Sequence, residues 1–264
     1  MKPLSALPCD GVRGLIFDVD DTVTRDGRLE RVAFDAMWSL ADAGLVLVAV
    51  TGRPLGWADV IARQWPVALA VGENGAGWSW VDARHHFHVD YFEAPTERER
   101  SDALKQRALE RVRAEMPHVQ PARDIVARRC DLALDVGEEV SLAPGEIAQI
   151  VALIEAEGCR APVSSVHCHI VPGPWDKASG AARAIEEVLG DFDDERWIFV
   201  GDSGNDADAF ARFRRSVGVA NVRAHLPRLP APPAYITPSD RGRGFAELAQ
   251  HLLGALRGVG RSDA

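Results

Sequence analysis

The sequence predicts an α/β protein in which a parallel-sheet domain is interrupted by an α+β module. Three observations carry this. Short apolar runs (Leu15-Ile16-Phe17, Leu45-Val46-Leu47-Val48-Ala49-Val50, Val67-Ala68-Leu69-Ala70-Val71, Trp197-Ile198-Phe199-Val200) alternate with stretches of helical period and end in polar or acidic clusters. Unbroken apolar runs of that length suit strands covered on both faces of a parallel sheet. From Trp78 the pattern changes to two-residue alternation, as in antiparallel strands with one wet side. After Trp175-Asp176-Lys177 the pattern of helix followed by apolar run returns. Residues 77–173 therefore read as an inserted α+β lid, and residues 1–76 and 174–264 as the parallel-sheet core.

Composition bounds the function classes. The chain has 264 residues, 47% of them hydrophobic, enough for one large or two modest cores. Its formal charge of -9 offers nucleic acid no overall electrostatic footprint. No apolar stretch reaches the roughly 18 to 20 residues that span a bilayer, and the proline-broken N-terminus is too short for a signal peptide, so no membrane partner and a cytoplasmic location are expected. Cys9, Cys130, Cys159 and Cys168 are widely spaced, which predicts buried free thiols rather than disulfides or zinc.

The core begins with Leu15-Ile16-Phe17 running into Asp18-Val19-Asp20-Asp21-Thr22. A helical period over 29–43 carries Val32, Ala33, Ala36, Met37 and Leu40 and stops at Gly44, a C-terminal cap. The next strand, 45–50, ends in Thr51-Gly52-Arg53-Pro54, and strand, helix, strand makes a right-handed crossover unit. A helix over 55–64 leads to the strand at 67–71 and the tight exit Gly72-Glu73-Asn74-Gly75-Ala76-Gly77.

In the insertion, alternation predicts a hairpin. Trp78 and Trp80 share one face, and Phe87, Val89 and Tyr91 another across the turn at Asp82-Ala83-Arg84. Thr96 and Glu99 suggest a capping box for a helix to Met116, with Leu104, Ala108, Leu109 and Val112 inward. A strand over 132–136, a helix from Pro144 with Ile147, Ile150, Val151 and Ile154 inward, and a strand over 163–171 follow. The core resumes with a helix over 179–189, the strand at 197–200, a short strand at 217–220 and the segment Tyr235-Ile236-Thr237. A proline-rich connector over 226–233 joins the last two.

Three carboxylates within four residues, Asp18, Asp20 and Asp21, repel one another unless a cation sits among them, which points to a hard divalent metal such as Mg2+. In an extended segment Asp18 and Asp20 point to one side, so one carboxylate can attack while the other handles a proton. Ligands bind beyond the carboxyl ends of strands in open parallel sheets, so Thr51 and the Thr51-Gly52 N–H groups are placed to meet phosphate oxygens. Gly201-Asp202-Ser203-Gly204-Asn205-Asp206 is a second acidic strand ending, whose Asp202 and Asp206 can close the metal shell begun by Asp18 and Asp20. Lys177 adds a point charge able to hold a phosphate or offset a nucleophile. Alternation also puts His86 with His88, and His167 with His169, on shared faces; a polar sheet face is the expected reading, with metal or substrate contact as alternatives.

Together, Asp18-Val19-Asp20-Asp21-Thr22, Val50-Thr51-Gly52-Arg53, Lys177 and Gly201-Asp202-Ser203-Gly204-Asn205-Asp206 resemble the motifs of the haloacid dehalogenase superfamily of phosphatases. An insertion between the third strand and Lys177 resembles subfamily IIB, with the Cof-like, sucrose-phosphate, trehalose-phosphate and mannosylphosphoglycerate phosphatases and the phosphomannomutases. That resemblance implies a Rossmann-like core with a C2-type cap that selects the substrate. It implies Asp18 as nucleophile and Asp20 as acid and base. It further implies Mg2+ on Asp18, the Asp20 carbonyl and Asp202 with Asp206 in support, and a phosphoryl group held by Thr51, Gly52, Lys177 and Asn205. A dehalogenase is disfavoured because those relatives lack an acid at the Asp20 position.

The expected activity is Mg2+-dependent hydrolysis of a small phosphorylated metabolite, a sugar or polyol phosphate, through an aspartyl-phosphate. A phosphomannomutase-like enzyme is the alternative, since Trp175-Asp176-Lys177 resembles its lysine motif. A receiver-type signalling domain fits less well, because receivers place the acceptor Asp after the acidic pair and lack a cap. In the cap, Trp78, Trp80, Arg84, His167 and His169 are candidates for specificity.

Overall fold

The computed structural model describes residues 1–259. In chain order, the described residues form β1 (Lys2–Pro3), β2 (Gly14–Asp18), β3 (Thr24–Arg25), β4 (Arg28–Leu29), α1 (Arg31–Asp42), β5 (Val46–Val50), α2 (Leu55–Gln64), β6 (Leu69–Gly72), β7 (Gly77–Val81) and β8 (Phe87–Tyr91). They continue as α3 (Pro95–Glu115), β9 (Leu132–Asp135), α4 (Pro144–Ala156), β10 (His167–Ile170), α5 (Lys177–Leu189), β11 (Trp197–Gly201), α6 (Ala207–Arg212), β12 (Ser216–Gly218), β13 (Tyr235–Ile236) and α7 (Arg241–Val259). None of these helices is long and apolar enough to cross a membrane.

One sheet of nine strands among the described residues organises the molecule, in the order β1-β13-β12-β11-β2-β5-β6-β7-β8. From β1 to β6 all neighbours are parallel, and β7 and β8 are antiparallel. The central strands are apolar throughout because helices cover both faces. Phe17, Leu47 and Ala70 join Met37 of α1, Ala58 of α2 and Phe245 of α7 in one core. Ile16, Val48, Val71 and Phe199 join Ile185 of α5 and Phe210 of α6 in the other.

The hairpin Gly77–Val81 and Phe87–Tyr91, expected within the insertion, pairs instead with β6 and extends the core sheet, with Val71 opposite Trp78. The change of period at Trp78 thus marks where the sheet reaches its half-wet edge: Trp78 is buried, while Trp80 is half-buried and stacks on His88. The cap proper packs α3 and α4 on the antiparallel pair β9–β10, around Leu109, Val112, Leu134, Ile150, Ile154 and Ile170.

Local differences have simple causes. Helix α3 starts at Pro95, with Glu97 rather than Glu99 closing its first turn: its Oε2 accepts from the Ala94 N–H at 3.0 Å. Helix α5 starts at Lys177, because the Asp176 carboxylate accepts from the Ser179 N–H at 2.8 Å. Val32, expected inward on α1, is exposed. The expected strand over 163–171 narrows to His167–Ile170. Cys130, Cys159 and Cys168 are buried and Cys9 half-buried, and all four are free.

Candidate active site

Strands β11, β2 and β5 lie side by side at the middle of the sheet, so their carboxyl ends deliver Asp202, Asp18 and Thr51 to one place. This is the crevice position at which open α/β sheets bind ligands. Lys177 reaches it from the first turn of α5. That turn sits against the loop after β6: a Cβ on Gly75 would lie 2.1 Å from the Asp176 carbonyl oxygen, and one on Gly180 2.3 Å from the Gly75 Cα. Only glycine at both positions lets helix and loop approach so closely.

Lys177 is fully enclosed, its Nζ donating to Asp18 Oδ1 at 2.5 Å and to Asp206 Oδ1 at 2.8 Å. Burial alone would lower its pKa, but the two carboxylates together outweigh burial and hold it above its usual range. The other Asp206 oxygen accepts from the Asp202 and Ser203 N–H groups, at 2.9 and 3.1 Å. Asp206 thereby ties the β11 loop to the lysine.

Oxygens of Asp18, Asp202 and Asp206 all lie within 4.8 Å of one another, and all three residues are buried. Burial, with the neighbouring carboxylates, pushes Asp18 up to about 7 and Asp202 well above the ordinary acid range. Asp202 Oδ2 accepts from Asn221 Nδ2 at 2.9 Å, whereas Asp202 Oδ1 is buried with no partner. An all-oxygen donor set with one orphaned carboxylate oxygen fits a hard divalent cation. The Asp20 side chain turns the other way, toward Arg53.

That ion pair is bidentate: Arg53 Nε donates to Asp20 Oδ2 at 3.0 Å and Nη2 to Oδ1 at 3.1 Å. Arg53 Nη1 lies 2.8 Å from Glu138 of the cap, and its guanidinium covers the Trp57 ring at 5.2 Å. Thr51 is buried, its hydroxyl accepting from the Arg53 N–H at 3.0 Å. Asn205 Nδ2 donates to Asn74 Oδ1 at 3.1 Å, and its Oδ1 accepts from Ser203. Asp18, Asp20, Gly52, Asn205, His167 and His169 line one small cleft, and a cavity of about 410 Å³ opens beside Asp20 between Thr24, Glu138, Ser165 and Arg241.

Two features of the site were not expected. Glu73, fully buried with a positive φ of 48°, accepts from the Leu55 N–H of the core and from the consecutive N–H groups of Arg129, Cys130 and Asp131 in the cap. Arg241, at the start of α7, donates to Asp21 at 2.8 Å and thereby brings the C-terminal helix to the rim. Both link positions far apart in the chain, and neither carries a motif. His167 and His169 share the polar face of β10, as expected, with Cys168 and Ile170 on the apolar one, but that polar face is buried toward the cleft, where Glu138 and Asp131 take one ring nitrogen each at 2.8 and 3.0 Å. His86 and His88 lie apart from the cleft, on Asp82.

No family model matches the chain. The phosphoglycolate phosphatase of Aeropyrum pernix is 26% identical over 253 residues, covering 93% of this chain and 95% of that protein. The sucrose-phosphatase of Synechocystis sp. PCC6803, solved with sucrose and phosphate, has a TM-score of 0.66 at 17% identity, over 91% of this chain and 98% of that one. A haloacid dehalogenase-like hydrolase of Bacteroides thetaiotaomicron has a TM-score of 0.63 at 15% identity, over 91% and 99%. The chain shares the fold of these solved hydrolases, and that fold gathers the four motif-bearing segments of the sequence around Asp18.

Proposed function

We propose that the protein is a Mg2+-dependent phosphatase of a small phosphorylated metabolite, a sugar or polyol phosphate, acting through an aspartyl-phosphate on Asp18. The observation that carries this reading is the shared cleft of Asp18 and Asp20, in which one carboxylate sits on a buried lysine and the other is clamped by an arginine. The relative named as a phosphoglycolate phosphatase and the sucrose-phosphatase likeness support phosphate-ester hydrolysis.

In this reading an Asp18 oxygen attacks phosphorus, and the bond from phosphorus to the ester oxygen breaks while Asp20 gives that oxygen a proton. Asp20 then takes a proton from water, whose oxygen attacks phosphorus and frees Asp18 and inorganic phosphate. Thr51, the Gly52 N–H, Lys177 and Asn205 position the phosphoryl group. Asp18, the Asp20 carbonyl and Asp202, with Asp206 in support, would hold Mg2+, which would supply neutralisation of phosphoryl charge. Positioning and neutralisation are the main needs of phosphoryl transfer. Acceptor groups of Asp21, Asp26, Glu138 and Ser165 around the cavity beside Asp20 support a hydroxyl-rich alcohol.

Phosphate release from a panel of sugar and polyol phosphates with Mg2+, compared with Asp18→Asn, tests the reading. Net release by the wild type and none by the variant is expected. An equally active variant, or bisphosphate-dependent isomerisation without release, would refute it.

A further inference from the structure

The cap histidine His169 has one ring nitrogen in use and one idle. Its Nδ1 lies 3.0 Å from Asp131 Oδ2. Asp131 Oδ1 receives Arg128 Nη1 at 2.8 Å and Oδ2 also receives Asn74 Nδ2 at 3.3 Å, so both carboxylate oxygens already face N–H donors. In that arrangement Asp131 accepts from Nδ1–H, and the neutral ring presents a lone pair at Nε2. Burial first, then Arg128 beside it, keeps the ring neutral by holding its pKa well below the ordinary value.

His169 is 1% exposed, and its Nε2 has no partner. It lines the cleft with Asp18, Asp20 and Asn205, and it abuts the phosphate-facing turn: a Cβ on Gly52 would lie 3.1 Å from Nε2. Arg128 fixes this relation from behind, donating to the Gly52 carbonyl at 2.9 Å. The neighbouring His167 differs, since its Nε2 is already held by Glu138 at 2.8 Å. A buried nitrogen left without a donor is unfavourable, and a ligand's donor at that spot restores the missing hydrogen bond.

We infer that His169 is a substrate-contacting residue whose Nε2 accepts a hydrogen bond from a substrate hydroxyl close to the ester, so that the cap selects polyol-type phosphates over esters with no donor there. The inference rests on the phosphatase reading and narrows its substrate class. A carboxylate at that position brings no proton and meets the lone pair, so a phosphorylated hydroxy acid without a free hydroxyl is disfavoured. Asp131 and Arg128 act as positioning residues, holding the tautomer and the distance to Gly52.

The test uses the full chain with Mg2+ and two probes, glycerol 1-phosphate and propyl phosphate, which lacks the hydroxyls. Binding is measured by calorimetry on Asp18→Asn, and hydrolysis on the wild type, each with and without His169→Leu and His169→Gln. Glycerol 1-phosphate is expected to bind Asp18→Asn more tightly than propyl phosphate. His169→Leu should weaken glycerol 1-phosphate about tenfold or more beyond any loss on propyl phosphate, mainly in KM. His169→Gln, whose amide oxygen is an acceptor, should restore part of the difference. Equal affinity of the two esters for Asp18→Asn, or equal losses on both with His169→Leu, overturns the inference. If binding depends on His169 while the wild type releases no phosphate, the phosphatase reading falls and the His169 contact stands.

Discussion

Arg53 holds Asp20 through two parallel contacts of 3.0 and 3.1 Å, while its remaining nitrogen lies 2.8 Å from Glu138 on the cap. The carboxylate proposed to move the proton is therefore aimed by a residue that the cap itself holds. Arg53→Lys keeps the charge and loses the bidentate geometry. It is expected to lower kcat on alkyl phosphates by about 100-fold or more, within the usual worth of general acid catalysis. The loss on 4-nitrophenyl phosphate should be smaller, because that alcohol departs without a proton; steady-state kinetics on the two esters check this.

Lys177 lies between Asp18 and Asp206, with no exposed side-chain surface. Lys177→Met leaves two buried carboxylates without their counter-ion, a change that typically costs about 3–5 kcal/mol. The variant should unfold at clearly lower urea concentration and release phosphate at least about a thousandfold more slowly. Urea titration by circular dichroism, beside a phosphate-release assay, separates the two effects.

Asp18 is raised by burial to about 7, and Asp202 well above the acid range. The folded state thus holds protons that the unfolded state gives up at lower pH. Without a divalent cation, the contribution of these two carboxyl groups to stability should be greatest below the ordinary acid range and decline as pH rises from there through about 7. Added Mg2+ should raise Tm most at the upper end of that window, and EDTA should abolish activity. Asp202→Asn should raise the cation-free Tm near pH 7.5 while removing activity and the response to Mg2+. Thermal melts at several pH values measure each effect.

Glu73 gathers N–H groups from the core at Leu55 and from the cap at Arg129, Cys130 and Asp131. Glu73→Ala orphans them in a buried place, and a loss of about 2–4 kcal/mol is expected. Hydrogen exchange should locate the loss at the amides of 129–131, with faster exchange there than in the core strands.

The strand ends were legible because an apolar run stopping in carboxylates conflicts with burial unless those groups have work to do: Asp18 and Asp202 were found that way, and Lys177 through the motif. The fold class followed from the unbroken run of β5 and its polar ending. Helix α7 was not anticipated, since Gly242 and Gly244 weaken the helical signal of its first turn and its order comes from packing Phe245, Leu248 and Leu252 on the sheet. Arg53 and Glu73 were equally silent as regards role, because each gains its meaning from partners dozens of positions away. The hairpin β7–β8 was assigned to the insertion because alternation reports exposure of one face, and exposure begins at a sheet edge as readily as at a domain boundary.

The two spaces around the carboxylates are unequal: the cleft over Asp18 is narrow, whereas the cavity beside Asp20 is wide and leads outward under Glu138 and Ser165. On the proposed mechanism, solvent would reach a phosphorylated Asp18 by the cavity that the alcohol occupies, so the alcohol would depart first, water would follow it inward, and phosphate would leave last. Inorganic phosphate should accordingly compete with the substrate for the free enzyme, while the alcohol product should act as a noncompetitive inhibitor.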